Sequence, residues 1–449
     1  MSTIEKHDMT QGKILLPLVS FTIPLVLGNL FQLTYNAADS VIVGKYVGEQ
    51  ALAAVGTSTP IMNIAILLIS GMCMGASVLM SSQYGAKDYD TLSRQISTTM
   101  LAGCGFSVVF SLLMLLLANP VLRLIRVPET AIPEAAAYLR IIFMGLIFTF
   151  MYNFLANTMR ALGDSKTPLY FLVTSAFLNI FGDLFFVVVL RWGVAGSAIA
   201  TVCSEGFCCL LCGIYIKKKI PLLCLGKKWW VFDKSLLGKT VSYGSTSAMQ
   251  QVCLQLGKLI IQSVVNTQGV AVMAAFTAVN RVDDFAYTPQ QNIGHAMTTF
   301  LAQNKGAGHK ERMKKGFQTG LLIELVYSIG LFCVIWGLAP QIMTLFAEDG
   351  DAQVVSLGIS YLHLISWMYI LPGLTNGVQG FFRGIGDLKV TLYSTFMNMF
   401  GRVVAVFVMI RLLQMEFASL AWANMVGWIV MLLFEVPLLV KSMRNGECG

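Results

Sequence analysis

No charged residue interrupts the chain between Gln95 and Leu122, and runs of this kind recur from end to end. Such a run exceeds the ~20 apolar residues that carry a helix across a bilayer. Inside hydrocarbon every backbone N–H and C=O must find its partner within the protein, which makes a helix the expected form of each run. Twelve runs can be traced: 15–43, 51–82, 96–118, 135–159, 168–190, 194–216, 238–265, 270–302, 317–338, 354–381, 389–410 and 417–440. An all-α membrane protein with twelve transmembrane helices follows. The composition agrees, since 56% of residues are hydrophobic and only 12% charged, against roughly 25% charged in soluble domains. Several runs are longer than a crossing needs, so tilted, bent or protruding helices are expected.

The net charge of +8 does not point to nucleic acid, because Lys and Arg sit in short segments between the runs. With the N-terminus inside, the cytoplasmic side receives 22 of them and the opposite side five. That asymmetry orients the chain with both termini cytoplasmic. Glu348, Asp349 and Asp351 fall outside, as this orientation requires. The polar start, MSTIEKHDMTQGK, and the length of the first run argue against a cleavable signal peptide. Most of the ten Cys lie within apolar runs. Cys209 and Cys212 form a CxxC without a second pair, so the cysteines read as small apolar fillers, and no metal centre is expected.

Only segment 217–237 separates two runs by about twenty residues, and it reads as a cytoplasmic linker between halves 1–216 and 238–449. The halves repeat. Arg160-Ala-Leu-Gly-Asp-Ser-Lys-Thr-Pro-Leu-Tyr170 is answered by Arg383-Gly-Ile-Gly-Asp-Leu-Lys-Val-Thr-Leu-Tyr393. Asn179-Ile-Phe-Gly182 is answered by Asn398-Met-Phe-Gly401, and Gln83-Tyr-Gly-Ala-Lys87 by the Gln303–Gly308 segment. Six spans per half give both halves one topology. Two pseudo-symmetric six-helix bundles are expected, related by an axis along the membrane normal and suited to alternating access.

An ionisable group at bilayer depth costs roughly 2.5–3.5 kcal/mol on insertion scales, so each one marks a candidate site. Asp39 lies in the first run and Asp183 in the fifth, with Asn179 one helical turn before it. Flanked by Asn36, Asn153, Asn157 and Asn179, these carboxylates could bind Na⁺ or share a proton. The plainer alternative is two acids hydrogen-bonded in a bundle core. Glu205, Lys258, Glu324, Arg402 and Glu435 could pair across helices, snorkel or line a cavity. Arg281 with Asp283 or Asp284 reads as a structural ion pair, and His295 and His363 as satisfied core residues. The two Arg–Gly–Asp–Lys loops read as helix–helix turns tied by Arg–Asp pairs, Arg160 with Asp164 and Arg383 with Asp387; the other reading is a cytoplasmic gate. Pro24, Pro60, Pro289 and Pro372 fall inside runs and are positioned to kink them. Gly238-Lys-Thr lacks the upstream glycine of a P-loop, because Asp233 stands there. No HExxH, GxSxG or zinc-spaced cluster occurs either, so no enzyme and no cofactor is expected. An ion gradient is then the energy source, unless transport is passive.

Taken in order, Asp39-Ser-Val-Ile-Val-Gly44, Gln50-Ala-Leu-Ala-Ala-Val-Gly56, Gln83–Lys87, Arg160–Asp164, Leu178-Asn-Ile-Phe-Gly-Asp183 and their second-half echoes resemble the MATE (multidrug and toxic compound extrusion) transporters. The resemblance covers nearly the whole chain. It implies the MATE/MOP fold and export of amphiphilic, often cationic compounds in exchange for H⁺ or Na⁺. It also implies a plasma-membrane location and places the family's coupling residues on Asp39, Asn179 and Asp183, with Asn153 and Asn157 both fitting a further position. Asn36, Gln250, Gln255, Asn280 and Met297 are the expected substrate-cavity residues, and a monomer is the expected state. Sodium-coupled members of one branch carry acids in the seventh and tenth spans. Here those stretches read Met249-Gln-Gln-Val-Cys-Leu-Gln255 and Thr375-Asn-Gly-Val-Gln379, without a carboxylate. That favours coupling in the first half, as in the DinF-like branch, by protons or by Na⁺ at Asp39, Asp183 and Asn179. A flippase for lipid-linked precursors is the alternative; it calls for a strongly basic cavity that these residues do not supply.

Overall fold

The structure is a computed structural model that describes residues 8–124, 127–129, 131–220, 230–346, 352–413, 417 and 419–444. The helices fall into two matching series. The first is α1 (Leu15–Tyr46), α2 (Glu49–Gly85), α3 (Tyr89–Leu124), α4 (Ile132–Met144), α5 (Leu146–Ala161), α6 (Lys166–Asp183) and α7 (Gly193–Lys219). The second is α8 (Lys234–Val265), α9 (Val270–Gly306), α10 (Lys310–Phe346), α11 (Ala352–Ser366), α12 (Ile370–Ile385), α13 (Leu388–Phe407) and α14 (Ser419–Arg444). Counting α4–α5 and α11–α12 as one broken span each gives the expected twelve.

The repeat extends to the irregularities. Gly48 and Gly269, with φ of 115° and 103°, make the α1–α2 and α8–α9 turns, a backbone form that L side chains rarely adopt. After α6 the chain continues as a π-helix, Leu184–Val189, and after α13 as another, Val408–Leu412. Both breaks have local causes. Between α4 and α5 the axis bends by 46°, where a Cβ on Gly145 would come within 2.3 Å of Val202 on α7. Between α11 and α12 a 3₁₀ turn, Trp367–Tyr369, precedes Pro372, which has no N–H to give. Pro24, Pro60 and Pro289 instead lie inside continuous helices.

Among the described residues nine helical stretches, α11–α12 counted as one, are long and apolar enough to cross a membrane, and the bent α4–α5 pair makes a tenth. The two remaining spans are α8 and α9, whose hydropathy is lowered by Lys258, Arg281, Asp283, Asp284 and several Gln and Asn. The α3 and α10 spans are the opposite case. Only 17% of the most apolar window of each is buried, and Val109, Leu112 and Leu116 of α3 are 67%, 58% and 78% exposed. Faces of that kind are stable against lipid chains.

The chain forms two compact units, which divide at other points than the expected lobes. Unit 1 holds Ile23–Ala248, and unit 2 holds Met9–Thr22 together with Met249–Gly449. The starts of α1 and α8 thus belong to the unit opposite the rest of each helix. In unit 1, α2 and α8 cross at Gly71 and Gly75, where a Cβ would come within 2.6 Å of Ala248 Cα and 2.4 Å of the Tyr243 carbonyl oxygen. Small residues at such crossings let two backbones approach. Ahead of this crossing, Arg94 pairs with Asp233 at 2.6 Å, and Ser97 and Thr98 bond the backbone of Val231 and Asp233. Unit 2 has the counterpart. The Arg312 guanidinium donates to the carbonyls of Met9, Gln11 and Gly12, while Gln303 Oε1 accepts from Met9 N–H. Part of the expected linker, 221–229, lies outside the described residues.

Candidate functional site

Asp39 projects from α1 and Asp183 ends α6, at the entry to the π-helix, where the widened ladder re-aims side chains. The two carboxyl groups are close enough to interact directly. Asp183 is 0% exposed, and neither of its oxygens has a hydrogen-bond partner among the described residues. Asp39 is half-buried and accepts a 2.7 Å bond from Ser197 Oγ. Asn179, one turn before Asp183, donates to Thr201 Oγ1 at 3.2 Å and leaves its own Oδ1 unpartnered.

Ser197 and Thr201 were not singled out from the sequence, although their signal was present. With Glu205 they recur every four residues along α7, and that spacing puts them on one face. Each reaches a different helix: Ser197 bonds Asp39 of α1, Thr201 bonds Asn179 of α6, and Glu205 accepts from Thr149 of α5. Tyr138 of α4, itself buried, lies within electrostatic range of both aspartates. Four helices of unit 1, α1, α4, α6 and α7, therefore meet at the two aspartates, and α5 joins the same face of α7 at Glu205. Asn153 and Asn157 donate instead to carbonyls of their own helix, Thr149 O and Asn153 O. The side chain of Asn36 lies outside the described residues.

The repeat does not conserve this chemistry. Where Asp183 follows the shared Asn-x-Phe-Gly, unit 2 has Arg402. A cavity of about 230 Å³ in unit 2 is lined by Arg402, Lys258, Asp283 and Asp284, with Gln255 and Asn280 among its polar walls. Gln255 and Asn280 are thus placed at a cavity. Gln250 belongs to a separate buried network with Gln379 and Thr395. Met297 is 1% exposed and packs onto Gly320 and Gly377, where it fills a helix crossing. The expected Arg281 ion pair is also replaced. Asp284 pairs with Lys258 at 3.3 Å, and Asp283 accepts from Tyr361 and Tyr369 at 3.0 and 2.5 Å. Lys258 and Asp284 both line the cavity, and Arg281 does not.

The two Arg–Gly–Asp–Lys loops are not tied by Arg–Asp pairs among the described residues. Asp164 Oδ1 accepts from the N–H groups of Lys166 and Thr167 and caps α6. Arg383 lies on α12, not in a loop; it is buried and bonds Gln379 Oε1 at 2.6 Å and His295 Nδ1 at 3.3 Å. Asp387 is exposed at the start of α13, and Lys305 bonds the Ile385 carbonyl beside it. His363 packs against the Trp336 ring. No group of three or more His, Cys, Asp or Glu able to hold a metal ion occurs among the described residues.

Against this geometry the comparisons agree with one another. A profile of the MatE family matches residues 24–185 and 247–409, one stretch in each half. The probable multidrug resistance protein YpnP of Bacillus subtilis is 32% identical over 392 residues, covering 87% of this chain and 86% of its own. The probable multidrug resistance protein NorM of Thermotoga maritima is 23% identical, covering 92% and 89%. Among solved structures, an outward-facing multidrug resistance MATE transporter of the MOP superfamily superposes with a TM-score of 0.91 at 22% identity, covering 100% of this chain and 99% of its own. A MOP superfamily transporter from Pyrococcus furiosus gives 0.91 at 21% identity, covering 99% of each. These likenesses fix the twelve-helix fold. With a profile match in both halves and a relative this similar over most of its length, the chain belongs to the MatE family of membrane transporters.

Proposed function

We propose that this transporter exports amphiphilic or cationic compounds by alternating access, in exchange for H⁺ or Na⁺ bound at Asp39 and Asp183. The observation that carries the reading is Asp183: fully buried, beside a second carboxylate, with no donor on either oxygen. Two ionised carboxylates in so dry a place repel each other and need a counter-cation. When a cation binds, the charge is neutralised; when it leaves, the site favours a different packing of the helices around it. Ser197, Thr201 and Asn179 hold the acids in place and supply the oxygens a proton or Na⁺ would meet. The π-helix after Asp183 and the bend at Gly145 are the irregular stretches on which such a change would act. Substrate would contact the Gln255 and Asn280 cavity of unit 2, where Asp283 and Asp284 stand beside Lys258 and Arg402. The multidrug names of the relatives support this class of cargo. The Lys and Arg distribution supports a plasma-membrane protein with cytoplasmic termini.

The test is flux in proteoliposomes. A lipophilic dye cation such as ethidium should be driven outward by an imposed pH or Na⁺ gradient. In Asp39→Asn and Asp183→Asn the gradient dependence should fall by about 5–150-fold, the usual range of coupling between sites. Dye movement that still follows either gradient in both variants would remove the assignment.

A further inference from the structure

A second acid in the molecule is as isolated as Asp183. Glu324, near the middle of α10, is 0% exposed, and both its carboxylate oxygens lack a hydrogen-bond partner among the described residues. Gln290 of α9, also 0% exposed, gives its Nε2 protons to Ser328 Oγ and Tyr369 O at 3.1 and 2.8 Å, and its Oε1 is left without a donor. Ser328, one turn after Glu324, donates to the Glu324 carbonyl at 2.7 Å. All three converge on Gly373. A Cβ there would sit 2.8 Å from Ser328 Oγ, 3.2 Å from Gln290 Nε2 and 3.5 Å from Glu324 Oε2.

The cluster thus holds three buried oxygens with no donor, the two of Glu324 and one of Gln290. Serine and amide donors are already committed, so what the site lacks is something positive. A fully buried charge without a partner costs several kcal/mol, and either a proton or a small hard cation removes that cost. No Lys or Arg is paired with Glu324 among the described residues. The titratable group beside it is Tyr327 on its own helix, and Tyr369 of the 3₁₀ turn presents its backbone carbonyl to Gln290 and Ser328. Tyr327 and Tyr369 already donate elsewhere, to Ala286 O and to Asp283.

The position is also mechanical. Tyr369 belongs to the 3₁₀ turn that breaks α11 from α12. Its carbonyl holds Gln290 and its hydroxyl holds Asp283, so the break is tied both to the amide of this cluster and to a buried acid.

We propose that Glu324, Gln290 and Ser328 form a second cation-binding site, lodged against the α11–α12 break of unit 2, that takes up and releases one proton or one Na⁺ during transport. The inference rests on the cation-coupled reading above and adds a second ion to it. As a proton site, the added hydrogen sits on Glu324 and leaves again as the free ion; as a Na⁺ site, the ligands are the Glu324 carboxylate, Gln290 Oε1 and the Tyr369 carbonyl.

The test is infrared difference spectroscopy of the purified full-length protein, reading the carbonyl band of protonated carboxylic acids. One arm steps the pH without Na⁺, and the other adds NaCl at fixed pH. The background is Asp39→Asn with Asp183→Asn, which silences the site of unit 1. In that background a band should still change in at least one arm, and adding Glu324→Gln should abolish it. Ser328→Ala, which keeps the carboxylate, should shift the midpoint of that change. Response in the pH arm alone identifies a proton site, and loss of the band on adding NaCl identifies Na⁺. Helical circular dichroism and a monodisperse elution profile establish that each variant is folded. Spectra that are silent in both arms before Glu324→Gln is added, or unchanged after it, would overturn the proposal. If instead Asp39→Asn with Asp183→Asn leaves the wild-type signal and flux intact, the unit 1 reading fails and the Glu324 result stands separately.

Discussion

Asp39 and Asp183 are legible as single letters, because a carboxylate inside an apolar run has no cheap explanation. Their surroundings are harder to read. Ser197 and Thr201 look like ordinary helix residues, and only the face they share with Glu205 gives them away. Asn153 and Asn157 show the converse: a prominent amide in a span can spend its donor on the carbonyl one turn back. Arg383 misleads for another reason. It opens a loop motif in sequence, yet the helix continues through it and carries its side chain inward. A residue-scale prediction follows from Ser197. Its hydroxyl donates to Asp39, and a hydrogen bond to a charged group contributes roughly 1.5–3 kcal/mol. Ser197→Ala should slow gradient-driven dye export by about tenfold or more, as 1.4 kcal/mol is a factor of ten. Ser204→Ala is the control, because Ser204 donates to the Thr201 carbonyl of its own helix. Equal rates in the two variants would show that the Asp39 bond has no part in transport.

At the scale of elements, length and hydropathy locate the spans well and locate their breaks badly. A run such as 135–159 reads as one helix because bending depends on what the other side meets. At the bend, Val202 of α7 occupies the space a side chain at Gly145 would need. The same logic applies to α2. Its glycines look like neutral spacers until α8 is laid across them, and then Gly71 and Gly75 become the contact. Gly75→Val would drive a branched side chain at the Tyr243 carbonyl, a backbone atom that cannot swing aside. Overpacking of this kind costs typically about 1–3 kcal/mol. The variant should unfold at a lower temperature in detergent, while Gly213→Ala, which meets nothing within 4 Å, should not. A Gly75→Val protein with wild-type thermal stability would mean that α2 and α8 do not approach this closely. The lower hydropathy of α8 and α9 has its own cause, since these helices carry the ion pair and polar cavity of unit 2.

For the whole molecule, the duplication is legible because both halves keep the same order of helices, turns and π-helices. The exchange of segments between the halves is not, because a linker in sequence carries no mark of where its two ends pack. Residues 230–248 belong to unit 1, where Asp233 meets Arg94, Thr240 accepts from Gln95 and Ala248 covers Gly71. A half-chain ending at Ile220 therefore leaves Arg94 without its carboxylate, Gln95 with Thr99 but without Thr240 as acceptor, and the glycine face of α2 bare. A half-chain extended to Gln250 keeps all three contacts. Expressed separately in detergent, the longer piece should elute as a single species and melt cooperatively, and the shorter should aggregate or melt earlier. The lost Gln95–Thr240 bond and the uncovered α2 face together account for a difference of about 1–3 kcal/mol. Identical melting of the two pieces would mean that the start of α8 adds nothing to unit 1, and the α2 glycines would then need another explanation.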